Sequence, residues 1–159
     1  LSPALSVGEM GGMAVCADPL GAPFGFWKAG AHYGSQVTDE PGSTTWCELY
    51  SPNARLARDF YMALLDASAD PLPGGLEYYV LKQGDKMLGG IMQIDTAWGN
   101  FRAQWITYFA VVDTDKAVAT ATAHGGKAMG TTDESPFGRL AALADPAGAF
   151  FKVIRPPAW

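Results

Sequence analysis

Three side chains on otherwise apolar, strand-like runs are equipped for chemistry. Glu48 and Tyr50 lie in the run Thr45–Tyr50, and Lys152 lies in Ala149–Ile154. A carboxylate or a phenol can take or give a proton, and an ammonium can hold an anion. Alternation along a strand puts Trp46, Glu48 and Tyr50 on one face and Cys47 and Leu49 on the other. The same rule groups Thr107, Phe109 and Val111, and separately Phe150, Lys152 and Ile154. Soft metal ligands are scarce. The two histidines are His32, in a Gly-rich stretch, and His124, at a helix end, where a structural role is expected. The two cysteines, Cys16 and Cys47, read as free, buried thiols, because nothing in their spacing demands a disulfide.

The elements that must position these residues include a repeat. Gly11–Ala22 reappears as Gly138–Ala149, with Asp18-Pro19-Leu20-Gly21-Ala22 matching Asp145-Pro146-Ala147-Gly148-Ala149. Each copy predicts a β-hairpin, in which Asp and Pro open the turn and Gly supplies its backbone freedom. Residues 28–43 are polar and Gly-rich and read as a linker. From Thr45 onward a strand precedes a helix capped by Asn53, with Leu56, Phe60 and Leu64 at helical spacing. A loop over Asp70–Gly75, a hairpin over Leu76–Ile94 and a connection over 98–104 follow. The order then restarts. Trp105–Val112 is a strand, Asp113 or Thr114 caps a helix, and His124-Gly125-Gly126 ends it. Lys127–Thr131, Gly138–Ala144 and Ala149–Ile154 complete the set, an internal period of about 60 residues.

Bulk properties narrow the function classes. The chain has 159 residues, 48% hydrophobic and 17% charged, which is enough for a core and too ordered in composition for a disordered segment. A net charge of −5 disfavours nucleic acid and anionic membrane as partners. No apolar run approaches a membrane span. The opening residues lack the basic and apolar regions of a signal peptide, and Leu1 in place of Met suggests processing or truncation. The expected location is cytoplasmic.

Taken together, Trp46-Cys47-Glu48-Leu49-Tyr50, the helix with Asp59-Phe60-Tyr61, Trp105–Asp113, His124-Gly125-Gly126 and Asp145-Pro146-Ala147-Gly148 resemble the vicinal oxygen chelate superfamily. This is the glyoxalase/bleomycin-resistance/extradiol-dioxygenase group. More narrowly, Ala29-Gly30-Ala31-His32 followed by Asp39-Glu40-Pro41-Gly42 resembles the link of tandem-domain glyoxalase-like proteins, sometimes labelled hydroxylases. The resemblance implies an α+β fold of paired βαβββ modules forming a cupped mixed sheet with helices outside. Residues 44–156 would be a complete two-module domain. Residues 1–30 would be the last two strands of a preceding, incomplete module, and 31–43 the linker.

Metal ligands of the superfamily, where present, are His, Gln or Glu on the first and last strands of the modules. Carried over, those positions fall on Trp46, Thr107, Lys152 and, less closely fixed, Met92; the partial repeat contributes Gly25. None is a good ligand, so no metal and no other cofactor is expected. The implied cavity lining is Trp46, Glu48, Tyr50, Thr107, Phe109, Phe150 and Lys152, a mostly apolar surface with a few polar anchors. Glu48 and Lys152 either serve as an acid/base pair or merely neutralise each other.

Three functions stay open. The first is a metal-independent protein binding a small, aromatic molecule. The second is a lyase, isomerase or hydroxylase-like enzyme using Glu48 or Tyr50, with Lys152, for proton transfer. The third is a structural or assembly domain with a self-filled pocket. Residues 1–30 are expected to dock as strands and to favour a homodimer, because an isolated hairpin is marginal in water.

Overall fold

The computed structural model describes residues 3–95, 97, 99 and 101–157. The connection expected over 98–104 therefore lies partly outside the described residues. The chain divides into two compact units, Leu1–Gln36 with Cys47–Trp105, and Val37–Trp46 with Ile106–Trp159.

The first unit opens with a three-stranded antiparallel sheet of β1 (Leu5–Ser6), β2 (Gly11–Ala17) and β3 (Pro23–Ala29). Its strands β2 and β3 are the expected hairpin. β4 (Thr44–Ser51) then leads into α1 (Ala54–Leu65). The Asn53 side chain accepts the Leu56 amide at 3.0 Å and caps the helix start. Asp66, at φ 49°, ends the helix in the left-handed conformation. β5 (Ser68–Pro71), β6 (Tyr78–Gln83) and β7 (Lys86–Gln93) complete the βαβββ order. β7 lies parallel to β4 and antiparallel to β6, and β6 is antiparallel to β5. β5 replaces the start of the loop expected at Asp70. Its Pro71 is tolerated because β5 ends the strand order.

The core of this unit explains the docking of the hairpin. Leu49, Leu81 and Ile91 bury one sheet face against Ala54, Ala57 and Tyr61 of α1. Ala22, with Leu20 and Phe24, joins the same cluster. The Phe24 ring meets Phe60 and Tyr61 edge-on, at centroid distances of 6.0 and 5.6 Å. The hairpin of β2 and β3 is thus seated on α1 by its turn.

The second unit repeats the order. β8 (Gln104–Ala110) leads to α2 (Thr114–Ala123), capped by the Asp113 side chain, which accepts the Lys116 amide at 3.0 Å. β9 (Lys127–Ala128), β10 (Asp133–Ser135), β11 (Gly138–Ala144) and β12 (Phe150–Arg155) follow. β12 runs parallel to β8 and antiparallel to β11, which also pairs with β9 and β10. The strand expected over Lys127–Thr131 is only two residues long. Ala141, Leu143 and Val153 pack beneath Ala117, Val118 and Ala121. The end of the expected linker is tied down, since Gly42 donates to the Ala110 carbonyl at 2.8 Å and Ala110 donates to Ser43 at 2.9 Å.

The repeated turns are built alike. Asp18 Oδ1 accepts the amides of Leu20 and Ala22, and Asp145 Oδ1 accepts those of Ala147 and Ala149. Gly21 and Gly148 both hold positive φ, 90° and 91°.

Candidate functional site

The site residues lie on the sheet faces turned away from the helices. In the second unit, β12 places Lys152 directly beside Tyr108 of β8. The Lys152 ammonium donates to the Tyr108 hydroxyl at 2.6 Å, with Nζ 4.8 Å from the ring centroid. Alternation puts Phe150 and Ile154 on the same face of β12, and Ile106 and Ala110 on that of β8. Ala142 is the β11 neighbour of Lys152 and leaves room beside its stem. Tyr108 and Ile154 are buried, whereas Phe150 and Lys152 are half-buried.

Phe109 and Thr107 do not share that face. Phe109 packs with Val111 and Phe151 against α2, and its ring meets Phe151 edge-on at 5.8 Å. Thr107, two residues earlier on the same strand, turns the same way. The expected cavity-facing set on β8 is therefore shifted by one residue, and Tyr108 is the side chain that was missed. The cause is local. Trp105–Ala110 carries large or apolar residues on both faces, so hydrophobic alternation cannot choose between them. The helix caps do choose. Aligning Asn53 with Asp113 pairs Trp46 with Ile106 and Glu48 with Tyr108.

In the first unit, Glu48 and Tyr50 are both 5% exposed. Burial first, then the charge and hydrogen bond of Glu48, push the Tyr50 hydroxyl well above the usual tyrosine range. The phenol stays protonated and donates to the carboxylate. Phe101 covers Tyr50 at a centroid distance of 5.5 Å. Gly90 sits beside Glu48 in the parallel register, and the Tyr78 hydroxyl lies where a Gly90 side chain would start. Met92, beside Tyr50, is buried on this face. Trp46 shares the strand face of Glu48 by alternation and is half-buried.

The remaining candidates have structural roles. The His124 ring is bonded to the Thr120 carbonyl at 2.8 Å, and the His32 carbonyl accepts from Trp27 Nε1 at 2.8 Å. Both cysteines are free thiols. Neither is fully buried, as had been expected. Cys16 is half-buried and Cys47 is exposed, since the core cluster under α1 takes in Leu49 but not Cys47.

Two grooves lie elsewhere. One, of about 580 Å³, follows the three-stranded sheet past Leu5, Met13 and Phe26. The other, of about 560 Å³, runs beside α2 over Val111, Phe151 and Val153. Its lining includes Thr120 and Ala121, which align with Phe60 and Tyr61 of α1, so smaller side chains leave open what α1 fills.

No protein-family model matches the chain. The chain is 38% identical over 159 residues to the "Putative glyoxylase CFP32" of Mycobacterium tuberculosis, covering 98% of this chain and 60% of that protein. It is 40% identical over 146 residues to the "Anthracycline biosynthesis protein DnrV" of Streptomyces peucetius, covering 91% of this chain and 53% of that protein. Among solved structures, the 2,3-dioxygenase LapB of Pseudomonas sp. KL28 matches 95% of this chain and 62% of its own, with a TM-score of 0.61 at 12% identity. Methylmalonyl-CoA epimerase of Streptomyces coelicolor matches 74% and 99%, with a TM-score of 0.54 at 12% identity. Together these relatives and structures indicate the vicinal oxygen chelate superfamily. The fold is the α+β glyoxalase/bleomycin-resistance type, with a large mixed sheet. The chain spans just over half the length of the curated relatives it matches.

Placed in that superfamily, the chain can be tested for the metal the fold often holds. The first-strand positions carry Trp46 and Ile106, and the last-strand position of the second module carries Lys152. None offers a lone pair suited to a divalent ion at neutral pH. Among the described residues, no three His, Cys, Asp or Glu gather in one place. These residues do not fit a metal.

Proposed function

We propose that this chain binds a small, aromatic molecule without metal, on the helix-free sheet face of its second unit. The observation that carries the reading is the Tyr108–Lys152 pair set in an otherwise apolar strand face of Ile106, Ala110, Phe150 and Ile154. Apolar area supplies the affinity of such a site, and a few fixed polar groups supply orientation. Ring stacking on Phe150 suits a flat ligand. The names of the relatives, a glyoxylase and an anthracycline biosynthesis protein, agree with a small organic ligand.

The enzyme reading keeps one specific support. Glu48 is a buried carboxylate held by a phenol that stays protonated, so Glu48 is the group fit to accept a proton and Tyr50 the group that positions it. The self-filled reading has support in the first unit, where Phe101 covers Tyr50 and Tyr78 covers Gly90. Protein purified under mild conditions and weighed by native mass spectrometry, with parallel elemental analysis, tests all three. The binding reading expects a copurified organic mass or saturable uptake of aromatic probes, and no stoichiometric metal. About one zinc, iron, nickel or manganese per chain would overturn metal independence.

A further inference from the structure

We infer that the groove beside α2 is a second binding site, which takes a small aromatic molecule of one or two rings. The groove lies on the helix side of the second unit, so the inference stands apart from the binding reading above. The first unit holds the counterpart of this place, and there it is filled. Aligning the caps Asn53 and Asp113 sets Phe60 against Thr120, Tyr61 against Ala121 and Trp105 against Thr45. Tyr61 is 2% exposed, and its ring meets those of Trp105 and Phe24 edge-on, at centroid distances of 5.2 and 5.6 Å. In the second unit a methyl group and two short hydroxyl side chains replace the aligned rings, and a groove of about 560 Å³ opens beside the helix. That volume is of the size that small-molecule sites have.

The sheet makes up only part of that loss. Gly89 of β7 pairs with Leu81, and Phe151 of β12 pairs with Leu143 in the matching register. In the first unit the glycine leaves room for Trp105, whose ring lies 3.4 Å from where a Gly89 Cβ would be. In the second unit Phe151 takes the same position and turns its ring edge-on to Phe109 at 5.8 Å. The groove therefore has an aromatic wall in Phe151 and an apolar floor in Leu143 and Val153, which are 1% and 5% exposed. Ala117 and Ala121 form its helix wall. Water gains few bonds over such a surface. A flat ring instead regains the edge-to-face contact that Tyr61 makes in the first unit, and it covers apolar area as well. The rings of the first unit thus set the class of occupant, a mostly apolar aromatic molecule of about naphthalene size.

The probes are 2-naphthol and its saturated analogue decahydro-2-naphthol, titrated into the whole chain while methyl signals are followed by NMR. Naphthol is expected to move the signals of Val111, Ala121, Leu143 and Val153 together, with half-saturation at about millimolar concentration or below. The saturated analogue should bind about two- to tenfold more weakly, the scale of one aromatic pair. Ala121→Tyr restores the ring that α1 carries, and it should weaken naphthol binding at this site at least about tenfold. Equal binding of the two probes overturns the inference, and so does undiminished binding in a folded Ala121→Tyr variant. Shifts confined to Ile106 and Ile154 put the ring on the helix-free face, which overturns this inference and leaves the binding reading standing. No shift of the four groove signals at millimolar naphthol overturns it as well. If the four signals move on raising the protein concentration without probe, a second copy fills the groove and the inference fails. The wild-type titration needs no variant, so misfolding of a mutant does not shelter the inference.

Discussion

Tyr61 and Asp18 meet inside the first unit although they are distant in the chain. The Tyr61 hydroxyl lies 3.4 Å from Asp18 Oδ2, and Trp105 Nε1 donates to that hydroxyl at 3.0 Å. Asp18 is buried and also holds the Leu20 and Ala22 amides. Asp145 makes the same two turn bonds, but its turn is exposed. Removing a buried acceptor leaves its donors unsatisfied, at about 1–3 kcal/mol, whereas an exposed turn can turn to water. Asp18→Ala should therefore cost clearly more stability than Asp145→Ala. Urea unfolding of the two variants gives the comparison, and equal losses would contradict the docking of the hairpin on α1.

Adjacent glycines on β7 should respond differently to the same added methyl. A Cβ at Gly89 would meet the Cys47 carbonyl at 2.9 Å, which is backbone and cannot swing aside. A Cβ at Gly90 meets the tip of Tyr78, which can. Overpacking costs about 1–3 kcal/mol where the neighbour cannot relax. Gly89→Ala should be the more damaging change, and Tyr78→Leu should restore most of the stability lost in Gly90→Ala. Midpoints of chemical denaturation report both effects. A Gly90→Ala loss untouched by Tyr78→Leu would show that the tyrosine is not the obstacle.

Stability should fall on the alkaline side. Burial is the first cause raising the hydroxyls of both Tyr50 and Tyr61. The folded state then keeps protons that the unfolded state releases from about pH 10 upward. Because the unfolded chain binds fewer protons there, unfolding is favoured as pH rises through and beyond that value. Thermal melts between about pH 9 and pH 11 should show the decline, and Tyr50→Phe should make it shallower. An unchanged slope in Tyr50→Phe would mean that this phenol does not contribute.

Self-association is expected at the three-stranded sheet. Leu5, Met13 and Phe26 are exposed at 52%, 37% and 43%, and β3 ends the strand order of its sheet. Open edges and apolar faces invite pairing. We propose a homodimer, to be read by light scattering against the chain mass of 16.8 kDa. A clean monomer at micromolar concentration would remove the proposal.

Much of this architecture was legible in the residues. Asn53 announced its helix, and the repeated Asp-Pro-x-Gly turns announced two hairpins that fold alike. Local chemistry settles such features, because a cap or a tight turn has few solutions. The Lys152 face was readable for the same reason, since the turn at Asp145 fixes the register of β12. β8 was not readable from its own pattern. A strand that is apolar on both faces carries no parity signal, and the face was settled only by the stagger against Asp113 and by packing under α2. β5 was hidden because Asp70-Pro71 reads as a loop unless the pairing with Tyr79 and Val80 is known.

Gly90 also bears on how this chain can change over generations. The register that sets Lys152 beside Tyr108 sets Gly90 beside Glu48, so the two positions are counterparts in the two modules. The Tyr78 hydroxyl occupies the space that a side chain at Gly90 would need. A lineage that placed a carboxylate or an imidazole at Gly90, next to Glu48, would have to swing that ring aside or trim it. Trimming Tyr78 first would leave a cavity, at about 24 cal/mol for each Å³ left empty. The first module is in this sense the harder one to reshape, whereas Lys152 in the second can be exchanged in one step.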